Sequence, residues 1–118
     1  MSRRSPETRL DDIISASEAI ERHLCAEGVE EGIVFDALRM RLLEIGEAVK
    51  DLPTSILTTE PDVDWDDIAK MRDHLAHHYF DTAHSIIFAV ARRDVPELVA
   101  AARRILLALE RADPDPTP

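Results

Sequence analysis

The sequence predicts an all-α fold, an antiparallel up-and-down bundle of four to five helices, and three observations carry that reading. Aromatic residues make up 4% of the 118 residues and glycines number three, which leaves little of what strands and hairpins prefer. Hydrophobic residues at 45% stand beside 32% charged residues, with abundant Ala and Leu, the composition of amphipathic helices. Seven prolines, at 6, 53, 61, 96, 114, 116 and 118, fall at the ends of apolar-periodic runs, where helices tolerate them. A chain of this length buries one core, so residues 1–118 are expected to form a single domain, with 113–118 (DPDPTP) as a frayed tail.

The elements follow from spacing. From Pro6 to about Glu27, Leu10, Ile13, Ile14, Ser17, Ile20 and Leu24 recur at steps of three and four, and Gly28 is a natural stop. A second helix over about Glu30–Leu52 carries Phe35, Leu38, Leu42, Ile45, Val49 and Leu52 in one stripe, widened by Val34, Ala37, Met40 and Ala48. Gly46 interrupts it at a cost of about 1 kcal/mol relative to Ala, which favours close approach of another backbone over tolerated weakness. Residues 53–63 read as a loop. Asp64 is a good N-cap for a third helix, followed by a shorter segment over about Thr82–Arg93 and a last helix from Asp94 with Pro96 in its first turn. Val99, Ala102, Ile105, Leu106 and Leu109 are the expected buried stripe of that last helix.

Charge and motif content exclude several functions. The net charge of -10 opposes binding to nucleic acid or anionic membrane, so any phosphate site must be local. No apolar run reaches the ~18 residues of a membrane span. The basic N-terminus lacks the apolar stretch of a signal peptide, and the lone Cys25 cannot form an internal disulfide, so a cytoplasmic location is expected. There is no glycine-rich phosphate loop and no cysteine cluster.

The third helix breaks its own pattern. Trp65, Ile68, Leu75 and Tyr79 form its apolar face, and Arg72 lies in the middle of that face. An arginine there needs an anion, either a nearby carboxylate met by its head while its stem packs on the core, or a phosphate. His74, His77, His78 and His84 follow within a short stretch, and imidazole gives and takes protons near neutral pH. His74 and His78 have the i, i+4 spacing of a metal pair but lack the acidic partner of a helical zinc motif, so no metal is expected.

The runs DWDDIAKMRDHLAHHYFDT, LLEIGEAVKDLP and VPELVAAARRIL together resemble the HEPN-domain toxins paired with minimal nucleotidyltransferase antitoxins, the HepT-like ribonuclease toxins. The resemblance covers the chain from the second helix to the last. It implies a HEPN-like all-helical homodimer acting as a cofactor-free, metal-independent endoribonuclease, with the Arg-x4-His pair Arg72 and His77 catalytic and Asp73 supporting at the position after the arginine. It further implies silencing by the nucleotidyltransferase partner, by AMP addition to Tyr79, the tyrosine of the His-x-Tyr ending. Asp73 replaces the more usual asparagine, and Asp81 stands where glycine often follows.

Metal-free RNA cleavage needs a base for the 2'-hydroxyl, an acid for the leaving 5'-oxygen and donors for the phosphoryl charge. One histidine cannot serve as both in one step, whereas two chains meeting at a two-fold axis supply two imidazoles and two guanidinium forks. At ~100° per residue, Arg72 and His77 lie about 140° apart while Arg72 and Tyr79 nearly coincide. Either the arginine reaches round, or the helix bends near His77, or His77 meets the other chain's Arg72. Two other readings share the fold: a non-enzymatic HEPN-like interaction module for a nucleotidyltransferase, and a chain that is mainly the substrate of such an enzyme at Tyr79.

Overall fold

The computed structural model describes residues 5–77 and 82–112, and all of its regular structure there is helical. Helix α1 spans Pro6–Cys25, α2 Glu31–Lys50, α3 Thr54–Leu57, α4 Trp65–His77, α5 His84–Ala89 and α6 Val95–Ala112, with a π-helical turn over Val90–Asp94 joining the last two.

Each boundary has a local cause. The Ser5 hydroxyl accepts from the Thr8 amide at 3.2 Å, and Pro6 occupies the first turn where its missing N–H costs nothing. Ser17, though buried in α1, donates to the Ile13 carbonyl at 2.7 Å and so leaves no orphan hydroxyl in the core. The helix stops at Cys25, short of the expected Glu27, and Gly28 at φ 74 turns the connection to α2. The Asp64 carboxylate accepts from the Asp67 amide at 3.0 Å, the cap expected for α4.

Two elements differ from expectation. The loop after Pro53 contains the single turn α3, because Ile56 and Leu57 are half-buried against the core and pull the backbone into helical pitch. The segment expected as two helices split at Asp94 is continuous. Its π turn, in which the Val95 amide bonds to Val90, widens the helix just before Pro96, whose ring would otherwise clash with the carbonyl four residues earlier.

The core is one cluster drawn from α1, α2, α4, α5, the π turn and α6. Helix α2 packs between α1 and α4, and α1 packs between α2 and α6. In α6 the buried residues are Val95, Leu98, Ala101, Ala102 and Ile105, while Val99, Leu106 and Leu109 are only half-buried. The buried face is thus rotated from the expected stripe, since α1 covers that side of α6.

Candidate active site

Helix α4 is held to α2 by its apolar residues: Leu75 is fully buried and Trp65 nearly so, with the Trp65 indole N–H donating to the Glu60 carbonyl at 3.0 Å. That packing carries Arg72 onto Gly46. A Cβ at position 46 would overlap the Cβ of Arg72 and lie 2.9 Å from its Cγ and 3.3 Å from its Cα. The close approach inferred from Gly46 is therefore real, and its partner is the arginine-bearing turn of α4.

The guanidinium then meets the next residue of α2. Arg72 Nε lies 2.7 Å from Glu47 Oε2, and Arg72 Nη1 donates to Asp73 Oδ1 at 3.1 Å. Lys50, one turn further along α2, donates to the same Asp73 oxygen at 2.8 Å. Asp73 is held below the usual carboxylate range, first by the Lys50 hydrogen bond and then by that from Arg72. These four side chains sum to zero charge. The pairing is not deep: the Arg72 side chain is 29% exposed and those of Glu47 and Asp73 are 53% and 52% exposed, so water and a competing anion can reach it.

Arg72 also lines a groove of about 910 Å³ shared by α1, α2 and α4. Ala76, one turn beyond Arg72 on the same side, lines it too. Arg39 on α2 donates to the Leu75 carbonyl at 2.9 Å, tying the last turn of α4 to its neighbour.

The histidines separate. Helix α4 is unbroken from Trp65 to His77, so no bend up to that residue brings the imidazole toward Arg72. His77 is exposed and does not line the arginine's groove. His74 is likewise exposed. His84, at the start of α5, stacks on Phe35 with ring centroids 4.0 Å apart and sits 3.3 Å from Glu31 Oε2, which fastens α5 to the start of α2. His78, Tyr79 and Asp81 lie outside the described residues, as does the 113–118 tail. The structure thus joins Arg72 with Asp73 and leaves His77 apart. Nothing in the linear pattern distinguishes Glu47 or Lys50 from other exposed positions of an amphipathic helix; only their spacing beside Gly46 hints at a shared role.

The family model described as Ribonuclease HepT-like matches residues 10–105. "Probable ribonuclease HepT" of Thermococcus cleftensis is 34% identical over 100 residues, covering 81% of this chain and 91% of that protein. "Putative RNase MJ0125" of Methanocaldococcus jannaschii is 32% identical over 114 residues, covering 93% of this chain and 98% of the relative. No solved structure matches. With the family model spanning from the first buried leucine of α1 to the last buried isoleucine of α6, the chain belongs to the HepT-like ribonuclease family.

Proposed function

We propose that this chain is the toxin of a toxin–antitoxin pair, a metal-independent endoribonuclease built as a homodimer, with Arg72 and His77 catalytic. One observation carries the reading. Arg72 occupies a groove with its Nε engaged by Glu47 and its terminal nitrogens only partly engaged, the disposition of a fork waiting for phosphate oxygens. His77 on the same α4 is exposed and does not line that groove, which favours a site completed by a second copy over one built within a single chain.

In such a dimer one imidazole takes the proton of the RNA 2'-hydroxyl as that oxygen attacks phosphorus. The imidazolium from the partner gives a proton to the departing 5'-oxygen, and the paired guanidinium groups hold the phosphoryl oxygens. The products are a 2',3'-cyclic phosphate and a 5'-hydroxyl. Silencing follows from a nucleotidyltransferase antitoxin: the Tyr79 hydroxyl attacks the α-phosphorus of ATP, pyrophosphate leaves, and the added AMP phosphate competes for the positive charge that RNA needs.

The test is cleavage of RNA in the presence of a chelator, read for the cyclic phosphate end. Arg72→Ala and His77→Ala are each expected to lower the rate by at least about 100-fold. Undiminished cleavage by either variant overturns the mechanism, and an unmodified Tyr79 after incubation with the nucleotidyltransferase and ATP overturns the silencing step.

A further inference from the structure

The groove that holds Arg72 contains more cation than one catalytic residue requires. Arg9 and Arg22 of α1 and Arg39 and Arg41 of α2 line it together with Arg72, in a chain whose net charge is -10. These five account for more than a third of the 14 lysines and arginines of the whole chain. Three carboxylates share the lining, Asp12, Glu44 and Glu47, which leaves the groove net positive while the remaining surface is acidic. Such a sign reversal focuses potential on one strip, the opposite of a uniformly solvated face.

The dimensions suit a strand. Arg9 and Arg22 are thirteen residues apart within helix α1, hence ~20 Å along its axis at 1.5 Å per residue. At ~3.4 Å per nucleotide of a stacked strand, that length spans about six phosphates. Between those two arginines the α1 side of the groove is lined by Ser15, Ala16 and Ala19, side chains small enough to let a backbone lie close. Arg41 meets Glu44 at 2.7 Å, an exposed pair of the kind that exchanges partners at little cost, whereas the Arg9–Asp51 pair at 2.7 Å is part-buried and stays with its carboxylate. Arg22 makes no ion pair among the described residues, so its guanidinium is available without any exchange.

We infer that this α1–α2 groove is a second, non-catalytic phosphate track: it carries the single-stranded RNA flanking the cleaved bond, with Arg22 and Arg41 on backbone phosphates remote from Arg72. The inference rests on the ribonuclease reading above and assigns it an extended substrate rather than a short one. Because phosphates carry no sequence information, the track tightens binding without selecting bases.

The test uses the full chain carrying His77→Ala, so that RNA is bound and not consumed, with labelled oligoribonucleotides of four and twelve residues as probes. With Arg22 and Arg41 intact, the 12-mer is expected to bind more tightly than the 4-mer, with a steep salt dependence. Arg22→Ser together with Arg41→Gln is expected to flatten that length dependence and to reduce the slope of log K against log salt by about 0.7 for each phosphate no longer neutralised, or about 1.4 in all. Arg22→Ser alone, at an exposed position, is expected to give half of the effect and guards against a folding defect from Arg41. An unaltered length dependence and salt slope in both variants overturns the track while leaving the catalytic reading intact. Failure of the unsubstituted chain to bind or cleave RNA of either length overturns both.

Discussion

Gly46 of α2 and Arg72 of α4 form a contact in which a hydrogen on one side is what permits the side chain on the other. The arginine's Cβ, Cγ and Cα all lie where a Cβ of residue 46 would stand or touch. The crossing of the two helices, and with it the position of the guanidinium, depends on that missing methyl group.

Gly46→Ala sets two effects against each other. Alanine in the interior of a helix is favoured over glycine by about 1 kcal/mol. The added methyl meets the root of Arg72, not its flexible tip, and relief requires moving α4 from α2 at about 1–3 kcal/mol of overpacking. Net destabilisation is expected, with cleavage reduced more than stability because Arg72 is displaced. Thermal melting and cleavage assays check it; a more stable, fully active variant contradicts the contact.

Glu47→Gln keeps an acceptor for Arg72 Nε and removes the charge that, on the proposed mechanism, competes with phosphate. Since the pair is substantially exposed, stability is expected to change by less than about 1 kcal/mol. RNA affinity is expected to rise severalfold. Titration of labelled RNA decides the matter, and weaker binding at unchanged stability means that the carboxylate orients the arginine through its charge.

Asp73 provides a pH test. Its carboxyl is depressed by Lys50 foremost and by Arg72 second, so its contribution to stability is present above the ordinary aspartate range and is lost as pH falls through the depressed value. Asp73→Asn is therefore expected to lower the melting temperature near pH 7, and the difference is expected to shrink as pH falls below the ordinary aspartate range and through the depressed value. A difference that persists undiminished in acid excludes the ionic pairing as its source.

Much of this architecture is legible in residue order, because helix period, proline placement and N-caps are local properties. The buried positions of α1 at Leu10, Ile13 and Ile20, the stripe of α2 and the Asp64 cap follow from spacing alone. So does the oddity of Arg72 on an apolar face and of Gly46 within a helix. That these two anomalies answer each other is a fact about packing: residues 26 positions apart meet only when α2 and α4 cross.

The same distinction governs the remainder. Amino-acid order by itself determined an all-helical chain, most of its helices and its family. Tertiary structure alone decided that Glu47 and Lys50 bracket Arg72 and Asp73, that α6 turns a different face inward, and that arginines from α1 and α2 gather in one groove. Local spacing sets which way a side chain leaves its own helix; which partner it meets depends on helix crossings fixed by the burial of distant apolar side chains.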